Sequence, residues 1–169
     1  MIITKKDDIQ IKSLSNLKGF ANHHTAMTSK VQFKTVDKVH KEKFNFKSAM
    51  GFWVGYNFII EKDGTILQAR KLGEVLAAHR GWNKTYGAIC LAGDFTKEKP
   101  TQAQKDSLFN LYSWITEIKA IPLYYRHGDL MGAKTLCPAL PKSFYQDIYN
   151  SVPKTVIQSI NVTLNRKVL

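Results

Sequence analysis

A chain of 169 residues, 44% hydrophobic and 22% charged, has material for one cored domain, which excludes a disordered polymer and argues against two independent cores. Lys and Arg total 25 against 13 Asp and Glu, a formal charge of +12. That balance favours a polyanionic partner such as nucleic acid, anionic lipid or an acidic wall polymer, without choosing among them. The basic residues are spread out, as in Lys38, Lys41, Lys43 and Lys47, and no DNA- or RNA-binding motif is visible, so no specific nucleic-acid partner is expected. Cys90 and Cys137 sit in unlike settings, one apolar and one polar, which does not suggest a disulfide framework. Met1 to Asp8 lacks the apolar core of a signal peptide, and no stretch approaches the roughly 20 apolar residues that span a bilayer. The expectation is a protein made in the cytoplasm, monomeric by default.

In chain order, residues 9–14 alternate loosely and predict a short edge strand. A strand beginning at Gly19 ends near His23 and His24, before the polar cluster Thr25 to Ser29. Between Val31 and Phe46, Val36, Val39 and Phe44 fall at helical spacing with lysines between them. Gly51 to Gln68 predicts a hairpin, with a strand from Trp53 to Ile60, a turn at Asp63-Gly64, and a return strand at Ile66-Leu67. Tyr86 to Ala92 is apolar almost throughout, the pattern of a central strand. Thr101 and Gln104 form a capping-box pair opening a helix whose apolar face is Leu108, Leu111, Ile115 and Ile118, and which stops before Pro122. Leu123 to Arg126 reads as another short strand, and Lys142 to Tyr149 as a short helix carrying Phe144 and Ile148 inward. In residues 153–169, a short basic tail, Ile160, Val162 and Leu164 alternate with polar residues and predict an added edge strand. The class is α/β, a mixed central sheet flanked by helices, with the main domain over 1–152.

Five histidines are present, His23, His24, His40, His79 and His127, and a lone histidine is most often structural. Here His23-His24 closes one strand, His127 follows another, and Cys137 lies ten residues later in a loop. Two imidazoles and a thiolate form a zinc donor set that leaves the fourth tetrahedral position to water. Spacing alone does not say which histidines would contribute.

An ordered series of strings carries a resemblance. It runs through His23-His24-Thr25-Ala26, Gly55-Tyr56-Asn57-Phe58-Ile59-Ile60, Asp63-Gly64, Ala78-His79-Arg80-Gly81-Trp82-Asn83 and Gly87 to Phe95. Pro100-Thr101, His127-Gly128-Asp129-Leu130 and Thr135-Leu136-Cys137-Pro138 complete it. Together, over roughly residues 20–150, they resemble the N-acetylmuramoyl-L-alanine amidase family shared by phage lysozyme-type endolysins and animal peptidoglycan recognition proteins.

The resemblance implies a single-domain amidase fold with zinc in a substrate groove, cutting the amide between the lactyl group of N-acetylmuramic acid and L-alanine of the peptidoglycan stem. It implies His23, His127 and Cys137 as zinc ligands, with Tyr56 facing the metal-bound water and Thr135 able to donate to the oxyanion. His79, Arg80, Trp82 and Asn83 are candidates for the substrate groove, although His79 and Asn83 serve equally well as loop supports. His24 is expected packed behind the metal, and His40 is expected to orient the first helix. The recycling branch of the family places glutamate where Cys90 stands and aspartate where Cys137 stands, so the sequence departs from that branch. Ala139 stands where glycine is frequent after Cys-Pro, a change expected to be tolerated. The implied partners are peptidoglycan and anionic envelope polymers, and the implied role is that of an endolysin acting on the cell wall. The rival reading is a recognition module that binds peptidoglycan without cutting it.

Overall fold

The computed structural model describes residues 1–153. Its elements are β1 (Ile2–Ile3), β2 (Gly19–His24), α1 (Phe33–Phe44), β3 (Phe58–Ile60), β4 (Ile66–Gln68), β5 (Tyr86–Leu91), α2 (Gln102–Ile118), β6 (Tyr125–Arg126) and α3 (Lys142–Ser151). The sheet order is β1-β4-β3-β5-β2-β6. Strands β3, β5, β2 and β6 run parallel, while β4 pairs antiparallel with β3 and with β1. It is the mixed sheet flanked by helices that the sequence predicts.

Alternation along the strands sorts side chains to two faces. Phe20, Phe58, Ile60, Ile89 and Leu91 join Leu108, Leu111, Tyr112 and Ile115 of α2 and Tyr145 of α3 in the larger core. Ile59 and Cys90 point the other way, into a smaller core with Phe33 and Val36 of α1 and Val54. Burying each large aliphatic side chain contributes roughly 1.5–3 kcal/mol, so the α2 face supplies most of the stabilisation. The thinner α1 face is the one left open enough to hold a site.

Helix α2 starts as its capping box predicts. Thr101 Oγ1 accepts from the Gln104 N–H at 3.1 Å, and Gln104 Oε1 accepts from the Thr101 N–H at 3.1 Å. Helix α1 has no such side-chain cap. Instead the buried Glu61 carboxylate accepts from the backbone N–H groups of Gln32 (3.0 Å) and Phe33 (2.7 Å), placing an anion against the positive end of the helix.

Several expectations are corrected. Residues 9–14 form only an isolated bridge, Ile11 to Leu72, and the edge strand is β1. The outgoing strand of the hairpin begins at Phe58 rather than Trp53, because residues 53–56 leave the sheet to wrap Arg70 and α1. The Arg70 guanidinium is fully buried and donates to the carbonyls of Val54 (2.7 Å), Val75 (3.2 Å) and Phe46. On α1 only Val36 of the predicted stripe is buried, while Val39 and Phe44 are exposed. On α3 the fully buried residue is Tyr145, with Phe144 and Ile148 packed at the core margin. The strand predicted around Ile160, Val162 and Leu164 lies outside the described residues. Among the described residues no helix is long and apolar enough to cross a membrane.

Candidate metal centre

The register of the parallel strands aligns the site. His23 pairs with Cys90, and Cys90 with Ile59, so these side chains form a row on the α1 face. The last pair between β2 and β6 is Asn22 with Arg126. His127 follows one step on, and its ring lies 4.6 Å from that of His23.

Cys137 returns to the same place through a short loop closed on itself. The Gly128 N–H donates to the Cys137 carbonyl at 3.0 Å. A side chain at Gly128 would meet the Thr135 carbonyl at 2.6 Å, so the loop closes this tightly only over glycine. Asp129 clamps the turn, accepting from Arg126 N–H (3.0 Å), Nε (3.0 Å) and Nη2 (2.7 Å).

The ligand atoms of His23, His127 and Cys137 all lie within 4.8 Å of one another, and His23 Nδ1 is 3.8 Å from Cys137 Sγ. Bonds of ~2.0–2.3 Å in a tetrahedron hold their ligands about 3.3–3.7 Å apart, so this group could close on such an ion with small movements. Burial, reinforced by the neighbouring imidazoles, holds His23 well below the usual histidine range, and burial lowers His127 as well. Both rings are therefore neutral at pH 7, the state in which imidazole ligates. Burial pushes the Cys137 thiol up to about 11 in the absence of a cation. A divalent ion at this spot would reverse that and favour the thiolate.

Tyr56 stands against this group, its ring 4.9 Å from His23 and 5.3 Å from His40. Desolvation, then the thiols of Cys90 and Cys137, push its phenol well above its ordinary range. The phenol is a hydrogen-bond donor at neutral pH. Thr135 lies on the exposed rim, and its Oγ1 accepts from the Cys137 N–H at 3.1 Å, which leaves its own proton free to donate outward.

The four groove candidates separate. Arg80 is exposed and lines two hollows, of about 470 Å³ and 240 Å³, that share Ala78, His79 and Arg80. Trp82 borders the smaller hollow and donates from Nε1 to the Met131 carbonyl at 3.0 Å, tying the two rims together. Asn83 supports the loop: its Oδ1 accepts from the N–H groups of Ala78 (3.0 Å) and His79 (2.8 Å). His79 is only 2% exposed and turns inward, its Nδ1 3.3 Å from His23 Nε2 and its Nε2 3.1 Å from the Tyr86 carbonyl. Burial lowers its pKa to about 4. His24 packs on Phe95 and accepts from the Phe95 N–H at 3.3 Å. His40 Nδ1 accepts from the Gly55 N–H at 2.8 Å, tying α1 to the segment that carries Tyr56. In the sequence, Asn22, Arg70 and Glu61 carry no mark beyond being polar residues inside or beside an apolar strand.

The chain is similar to known proteins along most of its length. Residues 14–140 match the family described as N-acetylmuramoyl-L-alanine amidase. The chain is similar to the solved N-acetylmuramoyl-L-alanine amidase LysC of Clostridium intestinale URNW, at 29% identity and a TM-score of 0.68 over 80% of this chain and 86% of that one. An endolysin of a Thermus scotoductus bacteriophage shares the fold at 18% identity and a TM-score of 0.64, covering 83% and 89% of the two chains. Drosophila PGRP-LB does so at 22% identity and 0.61, covering 85% and 88%. No curated protein matches the sequence significantly. With the family match spanning most of its length, the chain belongs to the N-acetylmuramoyl-L-alanine amidase family.

Proposed function

We propose that the protein is a zinc-dependent N-acetylmuramoyl-L-alanine amidase of the endolysin type, with His23, His127 and Cys137 as zinc ligands. The observation that carries this reading is the convergence of those ligand atoms within 4.8 Å beside Tyr56. A peptidoglycan strand is the substrate, and the amide between the lactyl group and L-alanine is the bond broken.

Zinc, when bound, supplies a Lewis acid and makes hydroxide available near pH 7. The protein's own groups orient the reaction. Thr135, its hydroxyl held by the Cys137 N–H, offers a proton toward the oxygen of the scissile carbonyl, where negative charge develops. Tyr56, neutral at working pH, donates a hydrogen bond across the same centre. It acts by orientation and donation, since a phenol of ordinary pKa about 10 keeps its proton at neutral pH. Arg80 and Trp82 flank the approach from the two hollows and position the glycan-peptide. Water adds hydroxyl to the lactyl carbonyl carbon and a proton to the alanine nitrogen as the C–N bond breaks.

The test is digestion of purified peptidoglycan by zinc-loaded and chelator-treated protein, with products identified by mass spectrometry. Free stem peptides beginning with L-alanine, released only with zinc, are the expected result. Tight peptidoglycan binding without new amino termini would overturn it in favour of a recognition module, the activity-free alternative on the same fold. PGRP-LE, solved with tracheal cytotoxin, is a fold relative that binds a monomeric peptidoglycan fragment.

A further inference from the structure

We infer that His79 is a positioning residue of the metal centre, one that fixes the tautomer of His23 so that Nδ1 faces the ion. The inference rests on the metal-site reading above, but its first observable needs no metal.

The chain of contacts begins at a group whose role is fixed. A carbonyl oxygen can only accept, so the contact of 3.1 Å between His79 Nε2 and the Tyr86 carbonyl puts the His79 proton on Nε2. The neutral ring then has a bare Nδ1. That nitrogen sits 3.3 Å from His23 Nε2, and with no proton of its own it can only accept. His23 must therefore carry its proton on Nε2, which leaves the Nδ1 lone pair directed to the space beside Cys137 Sγ, 3.8 Å away. Both nitrogens of His79 are engaged, which fits its absence from the ligand group. It stands one bond behind that group.

The surrounding chain holds this relay in place. Asn83 Oδ1 accepts from the His79 backbone N–H at 2.8 Å, and the His79 carbonyl accepts from the Trp82 N–H at 3.1 Å. Tyr86 opens β5, paired in register with Gly19 at the start of β2, so the carbonyl at the outer end of the relay belongs to the sheet that carries His23. A buried acceptor behind a ligating histidine fixes its ring and raises its basicity, and losing such a partner typically weakens metal binding 10–100-fold.

Two variants separate this role from simple packing. His79→Phe keeps a ring but has no nitrogen, while His79→Asn keeps an acceptor near the Nδ1 position. Two-bond proton–nitrogen correlation spectra of metal-free protein read the His23 tautomer directly, and a zinc competition titration reads affinity. Wild type should show His23 protonated at Nε2. His79→Phe should lose that single tautomer and bind zinc 10–100-fold more weakly, and His79→Asn should stay within a few-fold of wild type. His23 protonated at Nδ1 in wild type, or a folded His79→Phe that binds zinc as wild type does, would overturn the inference. If His79→Phe does not fold, the wild-type spectrum and the His79→Asn affinity decide. A wild type that shows the expected tautomer but binds no zinc would sink the metal-site reading and leave the relay standing.

Discussion

The phenol of Tyr112 on α2 donates to Asn22 Oδ1 on β2 at 3.0 Å, and both residues are fully buried. That contact orients the Asn22 amide, whose Nδ2 then donates to the carbonyls of Leu123 (2.7 Å) and Tyr125 (2.9 Å). Asn22 thus fastens β6, and with it His127, to the strand that carries His23. Asn22→Ala would strand the buried Leu123 carbonyl, the part-buried Tyr125 carbonyl and the phenol, costing about 3 kcal/mol of stability. It should also weaken zinc binding, because the two imidazoles lose their common frame. Urea unfolding and zinc titration check the two parts. Tyr112→Phe should cost about 1 kcal/mol with a milder effect on the metal, and equal zinc affinity in Asn22→Ala and wild type would refute the coupling.

Tyr56→Phe removes one hydroxyl and leaves the ring beside His23. If the phenol acts as a donor to the reacting centre, kcat should fall by about 10²–10³ while bound zinc stays constant. Loss of zinc in parallel with activity would instead make Tyr56 a support for His23.

Ala139 has φ of 62°, in the left-handed region that a β-carbon disfavours. The frequent family glycine after Cys-Pro has its physical reason there. Ala139→Gly should raise stability by about 0.5–1 kcal/mol, read as a higher Tm with unchanged activity. A lower Tm would show that the methyl group, packed at the core margin, outweighs the backbone strain.

His40 gives a pH dependence with a definite sign. Burial, and then the charges of Lys43 and Arg70, lower its pKa to about 4, against the ordinary 6.5. The unfolded chain therefore binds a proton that the folded chain refuses. The stabilisation is complete above pH 6.5 and is lost as pH falls toward 4, when protonation also breaks the bond from Gly55 N–H. Metal-free wild type should lose urea resistance over that window, and His40→Gln should lose less. Parallel curves for the two proteins would assign the effect to the other buried histidines.

Much of the frame was legible because local chemistry and burial agree along the chain. Strand β5 is apolar because both faces are covered, and α2 announces itself through Thr101 and Gln104. Strand β1 was missed because two residues carry no period. Helix α1 misled because Val39 lines a hollow under Tyr56 and Phe44 another beside Arg80, so apolar spacing there marks a groove wall rather than core. Arg70 was unreadable for a different reason: an arginine is ordinarily exposed, and nothing local announces that three backbone carbonyls will enclose it. The resemblance implied the ligand trio but left His79 between groove and loop. Its place behind His23 depends on residues 56 positions apart meeting through the sheet.

His23 and Cys137 are separated by 114 positions, with most of the sheet and α2 threaded between them. An ion held by both is a removable cross-link around that segment, and its grip adds to folding stability as RT ln(1 + [Zn]/Kd), about 4.1 kcal/mol at a thousandfold excess over Kd. For the zinc amidase proposed above, working life would then be set by the local supply of zinc, since a scavenged ion would unfasten the chain as well as silence it.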